Sequence, residues 1–331
     1  MLLDSYGYNS HWHDLYQAID SPGEPGRVTV VDRGACGVAT AHGIVRARSG
    51  RHDVCTGDWV LVDSDTISAV LPRRTAIVRA SAGTTSTPQT LASNVDTVVV
   101  TVAADTDLDL GRVERYVALA WDSGATPVVV VTKCDRGIDT DSRLDAVRSA
   151  APGVVALAVS SHTGSGMDCF TDSLAGTVAL IGPSGSGKST LANVLIGEHA
   201  LDTGTVREAD SKGRHVTVRR ELIPLATPGM TVIDTPGLRS VGLISSEEGL
   251  QQTFSDIEAL AQHCRFDDCA HTSEPGCAVQ ENVDPRRIAN YQRLQRENYW
   301  ATTRHDARAN SRRLAEAKKL SKIQRRMYKN R

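Results

Sequence analysis

The sequence lacks the long apolar segments that mark membrane proteins. No apolar run approaches the roughly 18 residues that span a bilayer, and the N-terminus shows no charged segment leading into an apolar core. Cysteine is sparse, at seven in 331 residues, and three of the seven cluster with a histidine. This distribution favours metal binding in a reducing compartment over disulfides. We therefore expect a soluble cytoplasmic protein with no membrane association.

The charges are unevenly distributed, although the net charge is only −2. From residue 286 to the end there are 15 Lys/Arg against 3 Asp/Glu, whereas the rest of the chain has 22 against 36. A basic tail on an acidic body indicates a polyanion as the partner of the tail, with nucleic acid as the first candidate. A solvated helix face is the alternative. With 40% hydrophobic residues, the 331 residues can bury a sizeable core and form two or three domains.

The first 80 residues predict a lead followed by a small barrel. Residues 1–25 are polar and end in a run of prolines and glycines, which predicts a flexible or loosely docked lead. Residues 26–80 contain about five short β-rich pieces separated by glycine turns, a pattern typical of the oligonucleotide/oligosaccharide-binding (OB) barrel. An SH3-like barrel has much the same pattern. Six arginines could give this barrel an RNA-facing surface: Arg46, Arg48, Arg51, Arg73, Arg74 and Arg79.

The centre of the chain, residues 86–243, predicts an α/β domain entered through a Thr/Ser-rich linker. Apolar strands are predicted at 96–102, 127–132, 154–159, 177–181 and 231–234, and helices at 110–120, 141–150 and 191–196. Alternation of apolar strands with helices is typical of a mostly parallel sheet covered on both faces. Ligands of such sheets bind at the carboxyl ends of the strands.

A phosphate-binding loop is predicted where the strand at 177–181 ends. The pattern Gly-x4-Gly-Lys-Ser between a strand and a helix forms a loop whose backbone N–H groups bind phosphate. Lys188 would reach the β- and γ-phosphates, and the Ser189 hydroxyl would ligate Mg²⁺. An ordinary glycine and serine loop is the alternative. The predicted nucleotide contacts are Gly182, Pro183, Ser184, Gly185, Ser186, Gly187, Lys188, Ser189 and Thr190.

Three further strand ends carry nucleotide-binding signals. The run from Asp234 to Gly237, Asp-Thr-Pro-Gly, suits a γ-phosphate sensor whose aspartate lies on the Mg²⁺ side. Thr-Lys-Cys-Asp at 132–135 occupies the place of a guanine-reading Asn-Lys-x-Asp, with Asp135 accepting hydrogen bonds from guanine N1 and N2. Thr132 stands where that pattern has asparagine, so we expect it to stabilise the loop less than an asparagine would. The residues assigned to the base are Thr132, Lys133, Cys134, Asp135, Ser160 and Ser161.

The order of these motifs is unusual. The base-reading loops at 132–135 and 160–164 precede the phosphate loop at 182–190, whereas in ordinary small GTPases the phosphate loop comes first. A nucleotide site depends on which strand ends are neighbours in space, so a cyclic shift of the chain preserves it. The order predicts a circularly permuted GTPase domain.

A metal site is predicted in the last domain, residues 244–331, which continues into a basic helical region. Three cysteines and one histidine fall within fourteen residues: Cys264, Cys269, His271 and Cys277. Three thiolates and one imidazole complete a tetrahedral set for structural Zn²⁺ and leave no position open for a catalytic water. Unrelated buried cysteines are the alternative.

With these motifs together, the chain resembles the ribosome small subunit-dependent GTPase A family, bacterial assembly factors for the 30S subunit. A small barrel, a permuted GTPase domain and a Cys-x4-Cys-x-His-x5-Cys module occur in the order of that family. The resemblance implies that Thr217 completes the coordination of Mg²⁺ and that His215 orients the attacking water. A structural or RNA-contacting role is the alternative for His215. The resemblance also implies 16S rRNA in the 30S subunit as the partner, GTP and GDP as ligands, and a monomer.

The motifs predict a nucleotide hydrolase, and the resemblance implies a GTP hydrolase of late 30S maturation that is stimulated by 30S particles and binds rRNA through its barrel and zinc module. Two alternatives stay open. In one, the chain is an RNA-binding assembly module in which GTP is only a stabilising ligand. In the other, the phosphate loop belongs to an ATPase or a kinase.

Overall fold

The computed structural model describes residues 2–79, 89–136, 139–197, 220–234 and 246–300. Within these ranges the chain forms a barrel, an α/β domain and a helical module with a Cys/His cluster. This is the multidomain fold that the sequence predicts. No helix in the described ranges is long and apolar enough to cross a membrane.

The N-terminal segment is folded and packed, so the prediction of a flexible or loosely docked lead was wrong. Helices α1 (Leu2–Ser5) and α2 (Ser10–Gln17) lie against the barrel. Leu3 and Trp12 are buried in a cluster with Trp59, and the Trp12 and Trp59 rings stack at 5.3 Å. Tyr6 reaches instead into the core of the α/β domain. The polar composition of the segment conceals these few large apolar anchors.

Five strands form the barrel. They are β1 (Glu24–Asp32), β2 (Ala35–Thr40), β3 (Gly43–Arg48), β4 (Trp59–Asp63) and β5 (Thr66–Val70). They pair in the order β1-β2-β3-β5-β4, and β4 pairs back with β1, so the sheet closes. A closed five-stranded barrel is the OB architecture. Its interior is filled by small branched side chains such as Val28, Val38 and Val60.

A hairpin that the sequence did not predict connects the barrel to the α/β domain. Strands β6 (Ala76–Arg79) and β7 (Gln89–Ser93) pair with each other outside the main sheet. The fully buried Asp58 accepts two hydrogen bonds from Arg73, at 2.7 and 2.8 Å, and one from Ser93 at 2.7 Å. Arg73 is therefore an internal partner of Asp58 and does not belong to an RNA-facing surface.

The α/β domain has the parallel sheet that the sequence predicts. Its strands are β8 (Thr97–Ala103), β9 (Thr126–Thr132), β10 (Val155–Ala158), β11 (Thr177–Ile181), β12 (Glu221–Pro224) and β13 (Thr231–Asp234). The order is β10-β9-β8-β11-β13-β12, parallel except for β12, which pairs antiparallel with β13. The sequence did not predict β12. A bridge between Glu221 and Val30 joins this sheet to the barrel.

Helices cover both faces of this sheet. They are α3 (Leu110–Asp122), α4 (Thr140–Ala150), α5 (Met167–Asp172) and α6 (Lys188–Ile196). One buried cluster includes Val117 of α3 and Val129 of β9, and a second includes Phe170 of α5 and Leu191 of α6. The strand interiors consist largely of valine, as expected for strands that are buried on both faces.

The C-terminal module packs on α3. It consists of α7 (Glu247–Thr253), α8 (Ser255–Ala261), α9 (Ala278–Asn282) and α10, which covers 285–300. Phe254, Ile257 and Tyr291 form its core together with Ala118 of α3. A Cβ atom on Gly249 would lie 2.5 Å from the Ala118 carbonyl oxygen, so only glycine permits this close approach of α7 to α3.

A buried ionic network joins the same module to α3. Glu114 of α3 is fully buried and accepts hydrogen bonds from Arg286, Arg287 and Asn290 of α10. Arg287, with 3% of its side chain exposed, also makes an ion pair with Asp256 at 2.7 Å. Arg286 and Arg287 therefore hold the module in place rather than extending the basic surface, which corrects the prediction for the start of the tail. Residues 301–331 of the tail lie outside the described ranges.

Candidate nucleotide and metal sites

The phosphate loop has the backbone conformation that anion binding requires. It connects β11 to α6, with Gly182 at φ 145°, Gly185 at φ 79° and Gly187 at φ 83°. A Cβ atom on Gly182 would lie 2.4 Å from the carbonyl oxygen of Thr101 on β8. Positive φ angles let consecutive N–H groups turn inward, and the N-terminus of α6 adds its positive dipole. The backbone of the loop is therefore compatible with the predicted binding of phosphate.

Two side chains stabilise this loop from within. The Lys188 ammonium donates to the carbonyl oxygens of Gly182 at 2.8 Å and Pro183 at 2.6 Å. The Ser186 hydroxyl is 2.6 Å from the Thr101 hydroxyl, at a buried position. Lys188 thus holds its charge over the loop, where β- and γ-phosphates bind in proteins of this type.

Thr132 braces the phosphate loop despite replacing asparagine. Its hydroxyl is buried at the end of β9 and lies 2.8 Å from the carbonyl oxygen of Ser186 and 3.3 Å from that of Val102. One hydroxyl proton serves a single acceptor at a time, and the shorter contact reaches the phosphate loop. The base-reading and phosphate-binding loops are therefore linked directly.

The carboxylate of Asp135 is held in place by the next base-reading loop. Its Oδ1 atom accepts a hydrogen bond from the Ser160 hydroxyl at 2.6 Å. The Ser160 oxygen in turn accepts hydrogen bonds from the backbone N–H groups of His162 at 3.3 Å and Thr163 at 3.1 Å. The Ser160 hydrogen bond is the main reason that the pKa of Asp135 is lowered. Asp135 is thus presented as an ionised acceptor.

An acidic residue that the sequence analysis did not select lies beside the same loop. Asp105, two residues past the end of β8, accepts hydrogen bonds from the Lys133 ammonium at 3.0 and 3.1 Å. Arg136 donates to the same carboxylate at 2.6 Å. Only the strand order brings β8 next to β9, so no local pattern could have identified Asp105.

These loops surround one open pocket of about 370 Å³ at the carboxyl ends of the strands. Its lining residues are Thr132, Lys133, Asp135, Arg136, Ser161, His162, Gly187 and Thr190. Arg136 and His162 are additional to the prediction. Cys134 lies in a short 3-10 helix between two lining residues, Lys133 and Asp135. The lining thus includes residues of both the predicted base-reading loops and the predicted phosphate loop.

Part of the predicted site falls outside the described residues. His215, Thr217 and Gly237 lie in stretches that the structure does not describe. Asp234 is the last residue of β13, which is parallel to and paired with β11, the strand before the phosphate loop. Its backbone therefore ends beside that loop, as the assignment to the γ-phosphate side requires.

The predicted zinc ligands come together in the C-terminal module. One ligand atom from each of Cys264, Cys269, His271 and Cys277 lies within 4.8 Å of the others. Cys264 Sγ is 3.9 Å from Cys277 Sγ and 3.7 Å from His271 Nδ1, and Cys277 Sγ is 3.4 Å from His271 Nδ1. Zn–S bonds of about 2.3 Å and Zn–N bonds of about 2.0 Å give tetrahedral edges of about 3.5 to 3.8 Å. The donor set therefore fits Zn²⁺.

A carboxylate and an amide shape the loop that carries His271, whose φ is 56°. Glu274 accepts hydrogen bonds from the backbone N–H groups of Ala270, Thr272 and Ser273, at 2.8–3.0 Å. These bonds lower the pKa of Glu274 to about 2. Gln292 of α10 donates to the Ala270 carbonyl oxygen at 2.9 Å and ties the loop to the rest of the module.

Two family models match the chain. The RsgA GTPase model matches residues 70–244, and the ABC transporter model matches residues 170–329. Both ranges contain the phosphate loop. Only the first contains the base-reading loops at 132–135 and 160–161, and those loops line the pocket described above. The geometry of the site therefore agrees with the first model.

Curated relatives and solved structures point in the same direction. A protein of Streptomyces coelicolor named small ribosomal subunit biogenesis GTPase RsgA is 47% identical over 328 residues, or 93% of this chain and 89% of that protein. A protein of the same name from Opitutus terrae is 40% identical over 92% of both chains. The crystal structure of YjeQ from Thermotoga maritima matches with a TM-score of 0.60 at 22% identity, covering 83% of this chain and 98% of that chain. The crystal structure of YloQ, a circularly permuted GTPase, matches with a TM-score of 0.58 at 23% identity, covering 88% of this chain and 98% of that chain.

Proposed function

The chain belongs to the RsgA GTPase family, and on that premise we propose that it hydrolyses GTP during late maturation of the small ribosomal subunit. The full-length similarity to proteins named as small-subunit biogenesis GTPases supports the biological setting. We further propose that it acts as a monomer in the cytoplasm, with 30S particles as its stimulating partner.

One observation carries the choice of GTP over ATP. Ser160 orients Asp135, and Asp135 lines the same pocket as Gly187 and Thr190 of the phosphate loop. An ionised carboxylate can accept hydrogen bonds from guanine N1–H and N2–H, whereas adenine offers no such pair. Adenine would offer no donor for the hydrogen bonds that guanine makes to this carboxylate, so ATP is disfavoured.

The residues at the phosphate end suit hydrolysis. Lys188 would move from the loop carbonyls to the phosphates, where its charge favours departure of the γ-phosphoryl group. Ser189, Thr217 and Asp234 would hold the Mg²⁺ that accompanies GTP, which neutralises phosphate charge. Gly237 would contact the γ-phosphate through its N–H group, and we assign to His215 the orientation of the attacking water.

The zinc module and the barrel are the proposed contacts to 16S rRNA. Structural Zn²⁺ would be held by the three thiolates and one imidazole described above, and it would stabilise the fold of the module. On the barrel, β3 presents Ile44, Arg46 and Arg48 outward, and the two arginines are 69% and 68% exposed. Such side chains contact phosphate rather than a base sequence.

The assignment of guanine to Asp135 is tested by exchanging a hydrogen-bond donor for an acceptor on the base, and an acceptor for a donor at position 135. Xanthine carries a carbonyl where guanine carries the N2 amino group, so an amide at position 135 suits xanthine and a carboxylate suits guanine. The wild-type protein is expected to bind a fluorescent GDP in preference to XDP and ADP, and Asp135→Asn is expected to prefer XDP. Unchanged preferences in Asp135→Asn, or tight binding of ADP by the wild type, would contradict the proposal.

A further inference from the structure

Asp105 pairs with both cationic side chains of the predicted base-reading loop. Its carboxylate accepts hydrogen bonds from Lys133 at 3.0 and 3.1 Å and from Arg136 at 2.6 Å. The Asp105 side chain is 17% exposed, whereas that of Arg136 is 58% exposed and that of Lys133 is 27% exposed. The Asp105 carboxylate is thus largely covered by the two cationic side chains. The hydrogen bond from Lys133 is the main reason that the pKa of Asp105 is lowered.

These cations flank the residue assigned to the base. Asp135 lies between them in sequence, and the positive charge of Arg136 contributes to the lowered pKa of Asp135. Lys133 has a left-handed backbone, with φ at 61°, and its ammonium reaches Asp105, just past the end of β8. An arginine or lysine that paired with Asp135 would occupy the oxygens that guanine needs, because a guanidinium commonly binds both oxygens of a carboxylate.

We propose that Asp105 is a positioning residue for guanine recognition: it holds Lys133 and Arg136 away from Asp135, so that the Asp135 carboxylate stays available to the base. Ser160 then fixes one oxygen of Asp135 by a hydrogen bond of 2.6 Å. The two acidic residues have separate tasks. Asp105 neutralises the loop cations, and Asp135 reads the base.

The proposal rests on the assignment of Asp135 to guanine, so its test runs beside the exchange with XDP described above. Asp105→Asn keeps the size of the side chain but removes the charge that retains the cations. Asp107→Asn is the matched control, because it removes the same charge two residues further on, at an exposed position. Affinities for GDP and IDP are measured with each purified full-length variant. IDP lacks the N2 amino group and therefore reports one of the two hydrogen bonds.

Asp105→Asn is expected to bind GDP roughly tenfold more weakly, on the scale of one charge-assisted hydrogen bond. Its preference for GDP over IDP should fall, while Asp107→Asn should behave as the wild type. The double variant Asp105→Asn/Arg136→Gln should regain part of the affinity and of the preference, because the released competitor is absent. This rescue separates the proposed role from a loss of folding.

Three outcomes would overturn the proposal. The first is GDP binding by Asp105→Asn equal to that of the wild type. The second is a parallel loss for GDP and IDP together with a lowered melting temperature, which indicates a structural role. The third is a double variant no better than Asp105→Asn. If Asp135→Asn also left the preference for GDP over XDP unchanged, the base assignment itself would fail, and that result is distinct from all three.

Discussion

Replacement of Glu114 by glutamine should loosen the attachment of the C-terminal module to the α/β domain. Glu114 is fully buried on α3 and accepts hydrogen bonds from Arg286, Arg287 and Asn290. A glutamine would direct an NH₂ group at these donors and would remove the charge that compensates the arginines. Breaking a buried ion pair from one side costs about 3–5 kcal/mol. Arg287 keeps Asp256 at 2.7 Å, so we expect the low end of that range, about 3 kcal/mol.

Native-state hydrogen exchange measures this cost. A loss of about 3 kcal/mol corresponds to exchange that is more than about a hundredfold faster for amides of α10. Glu297→Gln is the control, since it removes the same charge from the same interface. Glu297 pairs with Arg115 at 2.6 Å, but the two side chains are 45% and 27% exposed, so the cost should stay below about 1 kcal/mol. Equal exchange rates in Glu114→Gln and Glu297→Gln would show that the buried Glu114 does not hold the module on α3.

Three further changes test other parts of the site. Thr132→Val removes the hydroxyl that reaches the carbonyl oxygen of Ser186. The affinity for GDP, measured by fluorescence titration, should therefore fall by about 1 kcal/mol, or roughly fivefold. An unchanged affinity would show that the Thr132 hydrogen bond is dispensable. Gly182→Ala should abolish most GDP binding, because its Cβ atom would lie 2.4 Å from the Thr101 carbonyl, whereas Gly153→Ala, with a positive φ but open space around it, should bind normally. Elemental analysis of the wild-type protein should find one zinc per chain, and removal of that zinc by a chelator should lower the melting temperature. The variant Cys269→Ser lacks one ligand, so it should neither hold zinc nor respond to the chelator. A metal-free protein with an unchanged melting temperature would contradict the zinc assignment.

The sequence was sufficient for features whose signal is local. The phosphate loop and the four zinc ligands each lie within one short stretch, so their spacing alone identifies the chemistry. The parallel strands of the α/β sheet, unlike the antiparallel β12, were predictable for a related reason, since strands buried on both faces are rich in valine, as in the run at 128–131. The permuted order of the loops followed from the order of the motifs.

Features that depend on distant contacts could not be predicted. Asp105 is separated from Lys133 by 28 positions, and only the β8–β9 pairing brings them together. Glu114 and Arg287 belong to helices rich in charge and resemble solvent-exposed residues until α10 packs on α3. The N-terminal helices rely on a few anchors, among them Trp12, within a polar segment whose composition predicted a loose lead. Local pattern shows which residues carry chemistry, whereas topology shows which of them are partners.

We propose that this chain is a GTPase that responds to the small ribosomal subunit. The most direct test measures phosphate release from GTP and from ATP, with and without purified 30S and 50S subunits, using the full chain and Lys188→Ala as the inactive control. We predict slow release from GTP alone, strong stimulation by 30S but not by 50S subunits, and no release from ATP. Rapid hydrolysis of GTP without ribosomal subunits, or phosphate release from ATP, would contradict this proposal.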